Sequence, residues 1–139
     1  MSATDLVTAP ACDMGFLRDC FFMTEERKEM YRSLGATSLL ESMAKKYQTW
    51  SVICDYVQVH GLLGMVLRNS DSNQWCVITP DPEPGFFRYT GFDKRGFYMH
   101  GQYRKPEEAL LEVFRMGFHF VDRRDVLDSL SRASEWTVS

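Results

Sequence analysis

The sequence lacks most of the features that would assign it to a specialised class of protein. Its longest apolar stretch, 62–67, is far too short to cross a bilayer, and its first ten residues lack the cationic and apolar segments of a signal peptide. The four cysteines have no closely paired spacing, which argues against a disulfide framework. We therefore expect a cytoplasmic protein with reduced thiols that does not enter a membrane.

Residue patterns that carry catalysis or metal binding are also scarce. The three histidines, His60, His100 and His119, are scattered singly, whereas a zinc site needs ligands at short paired spacings. The chain has no Gly-x-Ser-x-Gly elbow and no phosphate loop, and Cys54 and Cys76 lie in apolar runs that disfavour a reactive thiolate. The sequence therefore predicts a protein that is not an enzyme, with no catalytic residue, metal or cofactor.

What the chain does contain is enough apolar sequence for one core. It has 139 residues, of which 45% are hydrophobic, and no repeat, linker or low-complexity tract divides it. The first residues are small and polar with no sustained period, which is typical of a chain terminus. We predict a loose N-terminal leader over 1–15 and a single α+β domain over 16–139.

The first half of this domain reads mainly as helix. Thr24 is a suitable N-cap for a helix over 25–34, whose first turn is acidic. Ser38 and Glu41 have the spacing of a capping box and predict a second helix over 38–48. The run 52–59 stays ambiguous, because its β-branched residues favour a strand while its apolar spacing also fits a helix.

The second half predicts two hairpins and a helix. A strand from Gly61 through Arg68 and another over 74–79 flank a polar turn, and strands over 86–92 and 97–103 flank Asp93-Lys-Arg-Gly96. Pro106 suits the first turn of an amphipathic helix. The predicted fold is therefore an antiparallel β-meander with N-terminal helices and a helix packed on the sheet after the second hairpin.

This second hairpin, 86–105, is the main electrostatic feature of the sequence. It holds five cations and one acid, a local charge of +4, so that the other residues carry −7 within a total of −3. If its aromatic side chains only fill a core, the hairpin is structural. If they are exposed, the cationic aromatic surface is typical of a protein-binding site, for which we select five residues: Arg88, Lys94, Arg95, Tyr98 and His100.

A succession of turn, cap and packing residues over 75–136 resembles small uncharacterised accessory proteins of bacterial plasmids, integrative elements and phages. It runs through Trp75-x-Val77-Ile78, Pro84-Gly85, Arg88-Tyr89, Phe92-Asp-x-x-Gly96-Phe97, His100-Gly101, Tyr103, Pro106-Glu-Glu-Ala109, Gly117, Asp122, Leu127 and Glu135-Trp136. The resemblance implies a bacterial accessory protein and transfers no catalytic residue.

Three functions remain open at this point. The first is a non-catalytic interaction protein, a mobile-element modulator or inhibitor of a bacterial host protein, for example an anti-CRISPR-like protein. The second is a nucleic-acid-binding regulator that uses the cationic hairpin, although the acidic remainder of the chain opposes a phosphate backbone. The third is a small enzyme with a dispersed active site. We favour the first, with a protein as the partner.

Overall fold

The fold is a five-stranded antiparallel sheet with helices before and after the hairpins. The computed structural model describes residues 12–71 and 73–137, and within them the sheet order is β4-β3-β2-β1-β5. The predicted α+β class and antiparallel meander are confirmed. The helices are α1 (Met14–Asp19), α2 (Glu25–Ser33), α3 (Thr37–His60), α4 (Pro106–Arg115) and α5 (Val126–Ser131), and the strands are β1 (Val66–Asn69), β2 (Trp75–Pro80), β3 (Phe87–Asp93), β4 (Gly96–Tyr103) and β5 (Phe118–Val121).

The main core lies on one face of the sheet, which we call the first face, beneath α3 and α4. The alternation of β2 places Cys76 and Ile78 on this face, and both side chains are fully buried. The Nε1 of Trp50 donates a hydrogen bond of 2.6 Å to the carbonyl of Leu17, so the largest core side chain also satisfies its polar atom. The two helices contribute further large buried side chains to this core: Trp50, Ile53, Val57, Leu110, Val113 and Phe114.

The opposite face, the second face, has a smaller core that α5 covers only in part. Trp75, Val77 and Phe92 alternate with the residues of the first face and pack against Val126 of α5. The Nε1 of Trp75 donates to the carboxylate of Asp122 at 3.0 Å. Arg124 pairs with the same carboxylate at 2.6 Å, and its guanidinium is the main reason that the pKa of Asp122 falls from 3.8 to about 2.

The second hairpin forms as the sequence predicts, with a two-residue turn at Lys94 and Arg95. Asp93 pairs with Gly96, whose φ of 130° favours glycine. Gly101 is needed because a Cβ there would come within 2.4 Å of the Tyr89 ring on the neighbouring strand. The pairing register shifts after Gly91, so that Tyr98 becomes an extra residue in β4, a β-bulge.

Two local predictions require correction, and one alternative that the sequence left open is resolved. The ambiguous run 52–59 is helical, and it joins the predicted second helix to form α3, which is continuous for 24 residues. No side chain caps α3, whose N-cap is Ala36, so the capping box of Ser38 and Glu41 is wrong. Residues 61–65 form turns, and β1 begins only at Val66.

The boundary of the leader also differs from the prediction. Asp13 accepts a hydrogen bond from the N–H of Phe16 and caps α1, which begins at Met14. Met14 and Gly15 therefore belong to the first helix. The predicted leader otherwise falls mainly on residues 1–11, which lie outside the described residues. The helix predicted over 25–34 is confirmed, with Thr24 as its N-cap.

Candidate protein-binding site

Three of the five predicted site residues lie on the uncovered part of the second face, and the other two lie at the covered end of the hairpin. A groove of 660 Å³, the sheet groove, separates α5 from the proline-rich loop 80–85. Arg88, Tyr98 and His100 line this groove, whereas Lys94 and Arg95 form the turn at the end of the hairpin. Its floor and walls also include Val77, Thr79, Thr90 and Leu127. The structure therefore brings three of the five residues together and places the other two at one end of β4.

Arg88 is part of the wall of the groove and not a free cation. Its Nε lies 3.0 Å from the carboxylate of Asp81, whose side chain is only 5% exposed. The backbone N–H of Glu83 donates to the same carboxylate at 2.8 Å and, together with Gln102 and Arg88, lowers the pKa of Asp81. Arg88 therefore attracts the proline-rich loop electrostatically, although neither its Nε nor Oδ1 of Asp81 completes a hydrogen bond.

Tyr98 stands at the rim of the groove as the bulged residue of β4. Its side chain is 44% exposed, and the Cζ atom lies 3.3 Å from the position that a Cβ on Gly91 would take. Burial raises the pKa of Tyr98 to about 12, with Cys76 and Asp93 adding to the effect. The phenol is therefore protonated at neutral pH and able to donate a hydrogen bond.

The outer edge of β4 is the most distinctive feature near the groove. This strand lies at one end of the sheet, runs for eight residues and contains no Asp, Glu, Lys, Arg or Pro. Exposed cations flank it on both sides, Lys94 and Arg95 before it and Arg104 and Lys105 after it. We call this combination the β4 edge. A strand at a sheet edge presents unpaired backbone N–H and C=O groups to a partner.

Two contacts hold the flanking cations in place. The backbone N–H and the hydroxyl of Thr137 both donate to the carbonyl of Arg95 at 2.7 Å, which anchors the turn. At the other end, the guanidinium carbon of Arg104 lies 4.7 Å from the centroid of the Phe86 ring. The sequence analysis included Arg104 and Lys105 in the local charge but not among the site residues. The two cation pairs on either side of a strand without Asp, Glu, Lys or Arg could have identified them.

The thiols are held in their protonated forms. Burial raises the pKa of Cys76 to about 12 and that of Cys54 to about 11. The imidazole of His119 also has a partner within the fold, since its Nε2 lies 3.1 Å from the carbonyl oxygen of Phe114. These groups support the first-face packing and lie apart from the sheet groove.

Among the described residues, no helix combines the length and apolarity that a membrane span requires. The chain matches none of the family models, curated proteins or solved structures with which it was compared. The site therefore has to be interpreted from its own geometry and charge.

Proposed function

We propose that the protein is a non-catalytic interaction protein that binds an extended acidic segment of a partner protein along the β4 edge. One observation carries this proposal: an eight-residue edge strand without charge lies between two pairs of exposed cations. A partner strand that pairs with β4 gains backbone hydrogen bonds along its length, and acidic residues at its two ends meet the cations. This mode of binding extends the sheet to six strands.

The four flanking cations also determine which strands can pair with β4. If two copies of this protein paired through β4 in antiparallel order, Lys94 and Arg95 of one copy would face Arg104 and Lys105 of the other. Parallel pairing also places cations against cations, and like charges opposite each other are destabilising. The β4 edge therefore disfavours a second copy of itself and favours an acidic strand.

The dimensions of the edge define the expected partner segment. With Tyr98 in the bulge, the eight residues of β4 span at most about 27 Å, so the partner's acidic groups are expected about seven or eight residues apart. Phe97 and Tyr98 are 42% and 44% exposed and offer apolar contacts to side chains of the added strand. The sheet groove, with Thr79, Thr90 and His100, lies beside β4 and receives the side chains that point to the second face.

A protein that covers a strand-forming segment in this way prevents other proteins from binding it. By this means, we propose, the chain acts as a modulator or inhibitor of a host protein, a role consistent with its small size and with the bacterial accessory protein that its resemblance implies. The location in the cytoplasm and the mobile-element origin remain predictions. Nucleic acid is the competing ligand, but the cations lie in two separate pairs and the rest of the chain carries −7, which is unfavourable for a continuous phosphate backbone.

The test uses synthetic peptides with eight alternating Thr and Val residues between two Asp-Glu pairs. We expect binding by calorimetry, with slowed amide hydrogen exchange along β4. Lys94→Gln with Arg95→Gln is expected to weaken binding about tenfold, because two rim ion pairs are lost. Arg104→Gln with Lys105→Gln is expected to do the same, whereas the control Arg27→Gln with Lys45→Gln, which removes two exposed cations from α2 and α3, has no effect.

Two results would overturn the proposal. In the first, a peptide with all its acids at one end binds as tightly as the symmetric one, or the protected amides lie outside β4. In the second, a mixed-sequence oligonucleotide binds more tightly than any peptide and loses affinity steeply with added salt, which supports the nucleic-acid function instead.

A further inference from the structure

A second concave surface lies between α2 and α3 and shares no lining residue with the sheet groove. This α2–α3 groove has a volume of 560 Å³, within the range of small-molecule sites. Apolar and aromatic side chains form most of its lining, among them Phe22, Leu40, Met43 and Tyr47. Two cations, Lys28 and Arg32, lie at its rim.

The groove exists because α2 contributes no buried side chain to its contact with α3. All nine residues of α2 are described, and none of them is buried. Leu40, Met43 and Tyr47 follow one another on α3 at helical spacing and make an apolar stripe about 10 Å long. In a packed helical hairpin the facing helix would cover such a stripe, whereas here all three side chains stay partly exposed.

A strained residue shapes one end of this groove. Phe21 has a φ of 63°, a left-handed conformation that bulky residues rarely adopt. Its ring is held in the core, 5.3 Å from Trp50 and 5.2 Å from Phe114 between centroids. The next residue, Phe22, is 53% exposed and forms the end wall of the groove. The centroid of its ring lies 5.7 Å from that of Tyr47. Backbone strain of this kind is concentrated at ligand-binding sites.

Two cations at the rim can contact an anionic ligand. Of the three charged side chains that line the groove, Lys28 and Arg32 are cations and Glu41 is an acid. Lys28 pairs with Glu25 at 3.1 Å and Arg32 with Glu29 at 2.9 Å, but both pairs are exposed neighbours on one helix, and such pairs are weak. The cations can therefore turn to a ligand carboxylate at little cost.

We propose that the α2–α3 groove binds a free linear monocarboxylate with a medium-length alkyl chain. The carboxylate pairs with Lys28 and Arg32, and the chain lies along the Leu40, Met43 and Tyr47 stripe. This site is separate from the β4 edge and does not depend on the function proposed for it. The flexible side chain of Met43 adapts to an alkyl chain at small cost.

The experiment titrates the full chain with octanoate, decanoate and decyltrimethylammonium, followed by calorimetry and by amide chemical shifts. We expect decanoate to bind about tenfold more tightly than octanoate, since each buried methylene contributes about 0.8 kcal/mol. Decyltrimethylammonium has a bulkier headgroup of the opposite charge and is expected to bind much more weakly. The shift changes are expected in α2, α3 and residues 21–23.

Variants separate the two parts of the proposed site. Ala44→Trp fills the groove from an exposed position on α3 and is expected to abolish decanoate binding while the protein stays folded. Lys28→Gln with Arg32→Gln is expected to weaken decanoate about tenfold, whereas Arg27→Gln with Lys45→Gln on the same two helices is expected to change nothing. These control cations do not line the groove.

Several outcomes would overturn this proposal. They are the absence of decanoate binding at millimolar concentration, equal binding of the cationic and anionic amphiphiles, and shift changes that lie in the sheet groove instead of α2 and α3. Binding to phosphatidylglycerol vesicles without binding of monomeric decanoate would also overturn it, because the α2–α3 surface would then be a membrane contact and not a site for a free carboxylate.

Discussion

The two faces of the sheet differ in what covers them. On the first face, α3 and α4 bury Cys76 and Ile78 completely, together with Trp50 and Phe114. On the second face, α5 and Trp136 cover only the end that holds Trp75 and Phe92. The remainder is the sheet groove, whose floor carries Thr79, Thr90 and the exposed His100.

Under the proposed function, this difference separates stability from recognition within one sheet. Apolar side chains that alternate toward the first face contribute burial, which accounts for most of the folding free energy. Polar side chains that alternate toward the open part of the second face contribute little to stability and stay available to a partner. Substitutions on the two faces should therefore separate unfolding from binding, with effects that decrease from the first face to the open part of the second.

The largest effect is expected for Phe114→Ala on the first face. The Phe114 ring is 1% exposed and lies 4.9 Å from the Trp50 ring and 5.2 Å from the Phe21 ring, so its removal leaves a cavity between three elements. We expect a loss of about 3–5 kcal/mol in the free energy of unfolding, measured by urea denaturation. At a temperature where the variant is folded, binding of the acidic peptide should be unchanged. A loss below about 1 kcal/mol would contradict the assignment of this face as the main core.

A smaller effect is expected for Asp122→Ala at the covered end of the second face. This substitution leaves the buried N–H of Trp75 without its acceptor and is expected to cost about 1–3 kcal/mol in the free energy of unfolding. Phe92→Leu at the same end, which keeps an apolar side chain, serves as the comparison for packing alone.

The same carboxylate makes a pH-dependent contribution that can be measured separately. Arg124 lowers the pKa of Asp122 in the folded protein to about 2, below its ordinary 3.8. Asp122 therefore stabilises the fold fully above pH 4, and this contribution is lost as the pH falls from about 4 to 2. Urea denaturation at a series of pH values should show a larger loss in the wild type than in Asp122→Ala, because other carboxylates with a lowered pKa, such as Asp81, contribute equally to both. Identical pH profiles for the two proteins would contradict the ion pair.

Sequence reasoning predicted the elements that depend on local chemistry. Asp93 to Gly96 contains the residues that a two-residue hairpin turn requires, and Thr24 is a side-chain cap, so both were confirmed. The run 52–59 could not be resolved, because burial of Ile53 and Val57 beneath the sheet decides for a helix against the preference of β-branched residues.

The surroundings of the predicted site residues depend on strand register, which the sequence alone does not supply. The pairing of Thr79 with Arg88 brings the loop that follows β2 beside the guanidinium, so Asp81 neutralises Arg88, and only the strand register reveals this. The bulge at Tyr98 is likewise invisible in the residue pattern. In contrast, the cations that flank β4 are visible in the sequence. Their importance as two flanking pairs becomes clear only from the position of β4 at the edge of the sheet.

The smallest effect on stability is expected for His100→Thr in the open part of the second face. His100 is exposed, pairs with Thr90 across the hairpin and lines the sheet groove. Threonine suits a strand, so the free energy of unfolding should change by no more than about 0.5 kcal/mol. If this residue contacts the added strand, binding of the acidic peptide should weaken by about threefold to tenfold in the same protein. Loss of stability without loss of binding would reverse the division between the two faces, since it would make His100 part of the fold and leave the groove without a role in recognition.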